Sequence, residues 1–287
     1  MSGEVPEVDL SVLTPSYGYA RFLKDSILSV TGQTGISIEH VVQDGGSKDG
    51  TIEMLAGFDS VNWVSEPDEG QSDALNKALR RSRGRWIGWL NADEFYLPGG
   101  LGELVRKGDQ SGADAVYADG VFVDERGAFD RLLVQHDFNE TVLRTYGVFM
   151  FSSSIIFRRS TLPEDPWDPA LKRVMDWDMY LRVASMSGRF AYLRRPVGAF
   201  RLHGEQVTAQ PGTGETLRVR ERYGISKSRR GRWLHAALKA TSGAVVKEVK
   251  ARSLRGRSLR WFADAPGLTT WETLMARCYG RPGAGQP

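Results

Sequence analysis

Cysteine is almost absent. The 287-residue chain has one, Cys278, so an internal disulfide is excluded, and with only four histidines a closed Cys/His zinc site is excluded too. The expected compartment is reducing. No stretch of eighteen apolar residues occurs, and the opening MSGEVPEVDL has neither a basic nor an apolar signal region. Neither a membrane-spanning helix nor a secretory leader is expected, which points to the cytoplasm. Internal repeats and low-complexity tracts are missing as well. With 41% hydrophobic and 25% charged residues, the chain is expected to be globular and not disordered.

Acids are scarce in one place only. Residues 226–287 hold thirteen Lys/Arg and three acids, whereas the preceding 225 residues hold 25 bases and 32 acids, and the overall +3 hides this split. The division predicts a mildly acidic domain over 1–225 followed by a basic helical extension over 226–287. Few aromatics interleave with the basic residues, so nucleic acid is not the expected partner.

Up to about residue 110 the chain alternates apolar runs with helical patterns, the spacing of βα units and a largely parallel sheet. Strands are predicted at 9–14, 38–43, 61–65 and 85–90. Helices are predicted at 19–30, from Thr51 with Asp49 as N-cap, and at 71–81. Further strands are expected at 114–118, 120–124, 153–158 and 190–194, with a helix over 176–187. The fold class is therefore α/β: a Rossmann-like, mostly parallel central sheet flanked by helices. Two halves are expected, over about 9–110 and 111–225. In such sheets ligands gather outside the carboxyl ends of the strands.

Three clusters lie at those ends. In Thr14-Pro15-Ser16-Tyr17, the proline fixes a turn and the tyrosine ring can lie against a base. In the loop from Gln43 to Thr51, two consecutive glycines permit close backbone approach and Asp44 can accept from a base or ribose hydroxyl; a plain helix entry is the competing reading. In Asn91-Ala92-Asp93-Glu94, an amide and two carboxylates end an apolar strand as hard oxygen donors suited to Mg²⁺ or Mn²⁺ carrying a diphosphate.

LSVLTPSY, VVQDGGSKDGT, SEPDEGQSDALNKAL and GRWIGWLNADEFYLPGGL, in this order, resemble the family 2 inverting glycosyltransferases, which have the GT-A fold. The likeness continues through Phe157-Arg158-Arg159 and MDWDMYLRV to RLHGEQVTA, covering about residues 9–210. It implies a metal-dependent enzyme that moves a sugar from a nucleoside-diphosphate sugar to a hydroxyl of a saccharide, lipid-linked or small-molecule acceptor. A catalytically silent sugar-nucleotide-binding protein and a nucleotidyltransferase are the competing readings.

Position by position, the resemblance implies that Thr14, Pro15 and Tyr17 line the nucleoside pocket and that Asp44 contacts the base. Many members have a second aspartate where this chain has Gly45, and an asparagine where it has Gly18. Gln71, Asp73 and Lys77 would flank the donor. Asn91, Ala92 and Asp93 take the place of the acidic donor motif, with Asp93, Glu94 and His203 as metal ligands for Mn²⁺ or Mg²⁺. Asp176 falls at the position of the catalytic base, against a competing role as helix N-cap; Asp178 projects about 200° away on a helix and does not substitute. The segment 204–214 is expected to act as a lid, and RPGAGQP at the end to be disordered.

In the basic segment, Leu234, Leu238, Thr241, Val245 and Val249 recur at helical spacing. A basic amphipathic helix is expected either to touch an anionic membrane peripherally, on the inner face, or to pack on the catalytic domain. A homodimer is a further expectation.

Overall fold

The structure, a computed structural model, describes residues 8–280 apart from Ser187, Glu205, 207–213, Lys227, Ser228 and Asp264. Most of the expected lid and the RPGAGQP tail lie outside the described residues.

Four parallel strands open the sheet: β1 (Leu10–Ser16), β2 (Ile38–Asp44), β3 (Val61–Ser65) and β4 (Trp86–Trp89), in the spatial order β3-β2-β1-β4. Helices α1 (Ala20–Thr31), α2 (Thr51–Leu55) and α3 (Gln71–Arg81) make the crossovers. Every residue of β1 and β4 is buried, the condition of a central strand covered on both faces. The second half adds β5 (Phe95–Tyr96), α4 (Gly100–Ser111), β6 (Ala115–Val123), β7 (Phe129–Leu133), α5 (Glu140–Thr145), β8 (Ile155–Arg158), α6 (Met175–Ser185), β9 (Phe190–Arg201) and α7 (Glu215–Arg222). Of these strands, only β6 and β9 pair in parallel. The expected helix-flanked α/β sheet is met, with an antiparallel-rich second half appended to the parallel first.

Local differences have physical causes. The two strands expected at 114–118 and 120–124 are one, β6, because Asp119-Gly120 is a register shift against β9 and not a turn. The buried Asp119 carboxylate is satisfied there by Tyr192 Oη at 2.5 Å, Tyr279 Oη at 2.6 Å and the Gln135 amide at 2.7 Å. Strand β9 runs on through Pro196 to Arg201, since the proline sits opposite Asp119 at that same irregularity, where a missing N–H is tolerated. Asp49 does not occupy the N-cap of α2; Gly50 does, at φ 92°. Asp49 instead accepts from Thr51 Oγ1 at 2.6 Å and from the Ala20 amide at 3.0 Å, tying α2 to the start of α1.

The basic segment forms α8 (Arg230–Thr241), α9 (Ala244–Ala251) and α10 (Ala265–Cys278). The single helix implied by its apolar spacing is broken at Ser242-Gly243, where the glycine adopts φ 72°. Leu254, Leu259, Trp271 and Leu274 are buried in one cluster with Phe95, Val121, Phe129 and Leu132 of the sheet. Arg260 Nη2 reaches Asp25 on α1 at 2.7 Å, and Trp261 Nε1 donates to the Tyr96 carbonyl at 2.9 Å. The C-terminal segment is thus built into the sheet's core.

Candidate active site

The parallel registers of β1 with β2 and β4 bring their carboxyl ends to one edge, with Ser16 opposite Asp44 and Leu13 opposite Trp89. A cavity of about 590 Å³ opens there. That volume suits a small-molecule ligand, for which pockets run to roughly 300–1,000 Å³. Pro15 lines it from within β1, where it stays in the strand opposite Gln43 and does not make the expected turn, and Tyr17 follows the strand, 69% exposed and open to stack on a ring. Helix α3 contributes Gln71, the end of β4 contributes Asn91 to Glu94, and α6 contributes Asp176.

Asn91 organises the acidic turn. Its Oδ1 accepts from Gln71 Nε2 at 2.7 Å and from Trp89 Nε1 at 2.8 Å, while its Nδ2 donates to Glu94 Oε1 at 2.9 Å. An aspartate has no N–H to give Glu94, so the amide suits what surrounds it. Glu94 is buried with Oε2 unpartnered, and burial first, then the Asp93 charge, push its carboxyl well above the usual range. Asp93 turns the other way: its Oδ2 lies 2.8 Å from His203 Nε2, and the His203 ring is packed beside Phe22 and Tyr19.

The Asp93 backbone is held from behind by Arg201 at the end of β9. Only 1% exposed, Arg201 donates through Nε to the Asp93 carbonyl at 2.8 Å, through Nη1 to the Glu125 carbonyl at 2.7 Å and through Nη2 to Asp25 at 2.8 Å. Arg201→Met removes all three bonds and leaves Asp25 with Arg260 alone. The expected cost is about 3–5 kcal/mol, the cost of breaking a buried pair from one side, read as a lower denaturant midpoint at unchanged slope.

Asp176 lies in the first turn of α6, whose N-cap is Val174, so the capping alternative does not hold. Its Oδ1 accepts from the Trp177 amide at 2.7 Å. Burial lifts its pKa to about 6, against that amide's opposing effect. The carboxyl is therefore ionised at neutral pH yet basic enough to take a proton. Asp178 is fully buried and engaged by Arg182 at 3.1 Å and Arg222 at 2.7 Å, which commits it to structure.

Five expected residues do not line the cavity; His203 is one, reaching Asp93 from beside Phe22 and Tyr19. Thr14 is buried and shares a 2.8 Å hydrogen bond with His40. Asp44 accepts from Ser47 Oγ at 2.5 Å, from the Gly46 and Ser47 amides at 3.0 and 2.9 Å and from Ser65 Oγ at 2.6 Å, so its carboxylate shapes the glycine loop. Asp73 accepts from the Glu69 amide at 3.1 Å and pairs with Lys77 at 3.1 Å; Lys77 also donates to the Pro67 carbonyl at 3.0 Å.

Asp68, Lys172, Arg173, Phe200 and Gln206 line the cavity without having been singled out. Asp68 had a visible signal, the acid of SEPDEG just past β3. A Cβ at Gly45 would meet Asp68 Oδ2 at 2.8 Å and the Tyr17 ring at 3.2 Å. Asp68 thus occupies the space that a side chain at Gly45 would need. Lys172, Arg173 and Gln206 come from connections, and Phe200 from the part of β9 beyond the expected strand, whose paths no local pattern gives.

A cavity lined by acids from two strands and a helix, at the carboxyl edge of a Rossmann-like sheet, is the site of an α/β enzyme. The pattern described as Glycosyl transferase family 2 matches residues 11–166, more than half of the chain, and the chain belongs to that family. It is similar to an uncharacterized glycosyltransferase of Nostoc sp., at 24% identity over 222 residues, covering 72% of this chain and 69% of that one. Chondroitin synthase of Escherichia coli is 28% identical over 214 residues, 69% of this chain and only 30% of the synthase. The solved structure of S. aureus TarS 1-349 in complex with UDP-GlcNAc superposes with a TM-score of 0.58 at 15% identity, covering 96% of this chain and 93% of that one. The fold is the expected GT-A fold, and the protein is a glycosyltransferase.

Proposed function

We propose that the enzyme transfers a sugar from a nucleoside-diphosphate sugar to an acceptor hydroxyl by a single displacement with inversion. The observation that carries this reading is the meeting of Asp93 and Asp176, from distant parts of the chain, in one cavity at the sheet's carboxyl edge. Asp176 takes the hydroxyl proton as the oxygen attacks the anomeric carbon, and the diphosphate departs from the opposite face. The UDP-GlcNAc of the TarS complex supports a nucleotide-sugar donor. The acceptor, saccharide, lipid-linked or small molecule, a homodimeric state and a cytoplasmic location go with the same proposal.

Mn²⁺ or Mg²⁺ fits the donor set. Asp93 Oδ2 and His203 Nε2 already converge within 2.8 Å, a hard carboxylate and an imidazole, whereas Glu94 is turned into the protein with a raised pKa and serves the turn. No group of three or more His, Cys, Asp or Glu side chains suited to a metal is present among the described residues, so phosphate oxygens of the donor would complete the shell. When bound, the ion offsets charge on the departing diphosphate.

Asp93→Ala is expected to remove the metal dependence of nucleoside-diphosphate binding, weakening affinity in Mn²⁺ by roughly tenfold or more, about 1.4 kcal/mol. Calorimetry across a panel of nucleoside diphosphates, with Mn²⁺ and with chelator, measures this. Metal-dependent affinity that survives in the mutant would remove the assignment. Release of sugar from a labelled donor by wild type tests the enzyme reading against a silent binder.

A further inference from the structure

Helix α9 is built inside out for a helix in water. Its buried residues are the alanines Ala244 and Ala251, while its larger aliphatic residues face solvent: Val245 is 57% exposed, Val246 58% and Val249 50%. Successive helical residues turn by about 100°, so these valines share one side, with Lys250 and Arg252 exposed at its two margins. Helix α8 repeats the pattern. Gly231 is buried and Leu234 and Leu238 pack toward the core, whereas Ala236, Ala237 and Ala240 are exposed beside Trp233, the most exposed large apolar residue at 76%. The helices pack on each other across the Ser242-Gly243 turn, so the two apolar surfaces adjoin.

Along the segment that carries these surfaces the charge is nearly all of one sign, although Arg255 pairs with Asp130 at 2.7 Å and the neighbouring α5 and α10 carry the exposed Glu140 and Glu272. Between Arg229 and Arg257 nine Lys/Arg accompany a single acid, Glu248. That acid is turned inward, taking Lys239 Nζ at 2.8 Å and the Val134 amide at 3.2 Å. Arg229, Arg230 and Arg232 are exposed at the start of α8, with Lys250, Arg252, Arg255 and Arg257 exposed at the far end. A tryptophan and aliphatic side chains on two helices with cations at both ends and no outward acid of their own complement an apolar layer beneath anionic headgroups. A protein partner would have to be both greasy and acidic across the same patch.

We propose that the outward surfaces of α8 and α9 dock the enzyme on an anionic lipid bilayer, with Trp233, Val245, Val246 and Val249 entering the headgroup layer. This divides the face expected from apolar spacing: Leu234 and Leu238 hold the helix to the protein, whereas Val245 and Val249, joined by Trp233 and Val246 outside that spacing, meet the lipid. The cavity shares no residue with this surface. The proposal does not depend on the donor or the metal.

The test is sedimentation of the full-length protein with vesicles of phosphatidylcholine, alone or containing about a quarter phosphatidylglycerol. Wild type is expected to bind the anionic vesicles at low salt, to bind less as salt rises, and to ignore pure phosphatidylcholine. Replacing Trp233, Val245, Val246 and Val249 together by Gln, a good helix former, should reduce binding at least tenfold, on the order of a few buried methylenes per residue, without lowering the melting temperature. K250E combined with R252E should weaken it by about 30-fold or more, and serves should the first variant fold poorly. Absence of wild-type binding at low salt, or undiminished binding by both variants, overturns the proposal. So does light scattering that finds a dimer dissolved by the Gln substitutions with no vesicle binding, since the surface would then belong to a second copy. Thermal shift with nucleoside diphosphate on the same samples keeps a failed donor reading distinct from a failed surface.

Discussion

Asp176→Asn is expected to slow sugar transfer by roughly 10²- to 10⁴-fold while donor affinity stays near wild type, because the amide keeps the shape of the carboxyl but cannot take the acceptor's proton. The same substitution should stabilise the protein above pH 6. Burial lifts the folded-state pKa to about 6, above the unfolded value of about 3.9, so the folded state binds this proton more tightly. The stability tied to that proton is fully present below the unfolded pKa and is lost as pH rises through 6. Asparagine carries no charge to bury and escapes the loss, a gain of about 1–3 kcal/mol at pH 7–8 that vanishes near pH 4. Wild-type turnover should fall below pH 6 as the base is protonated. Measuring rate, donor Kd and melting temperature across pH on one mutant checks each part. Near-normal turnover would sink the base assignment, and a melting temperature that drops at pH 8 would show the half-buried carboxylate to be a structural anchor.

The parallel half of the sheet was legible because its rules are local. β1, β2 and β4 are apolar runs ended by turn-forming residues, and α3 carries its apolar positions on one side, so burial on both faces or one leaves a period in the sequence. The second half was harder for one reason, Asp119. An acid followed by glycine reads as a turn, yet two tyrosine hydroxyls, one of them from the C-terminal Tyr279, satisfy the carboxylate and let the strand continue. No window of sequence contains that information.

The site shows the same division. Pro15, Tyr17, Asn91 and Asp93 were readable at strand ends, and Asp176 through resemblance to the family; all line the cavity. Asp44 ends β2 and Asp73 and Lys77 lie on α3, close to the same edge, but their side chains bond to neighbours in sequence. Position in a motif places the backbone, and hydrogen-bond partners decide where the charge points. Arg201 is the opposite case: it touches the Asp93 backbone from 108 residues away in sequence and carried no local signal.

Deleting residues 226–287 is expected to abolish cooperative folding, because the basic segment closes the core. Leu254, Leu259, Trp271 and Leu274 are buried against Phe95, Val121, Phe129 and Leu132, and their loss would expose both sets. At about 1.5–3 kcal/mol for each large buried side chain, four amount to roughly 6–12 kcal/mol before the newly bared sheet surface is counted. Whole domains are stable by only about 5–15 kcal/mol. Two buried acids would also lose partners, Asp25 its bonds from Arg260 and Asp119 its bond from Tyr279. The alternative is an appendage that rests on a self-sufficient domain, and it predicts a soluble fragment 1–225 with an unchanged melting temperature and intact nucleotide binding. Thermal unfolding and near-ultraviolet circular dichroism of that fragment separate the two. A sharp transition within a few degrees of wild type would show that the buried apolar contacts of the C-terminal helices contribute far less than their area implies.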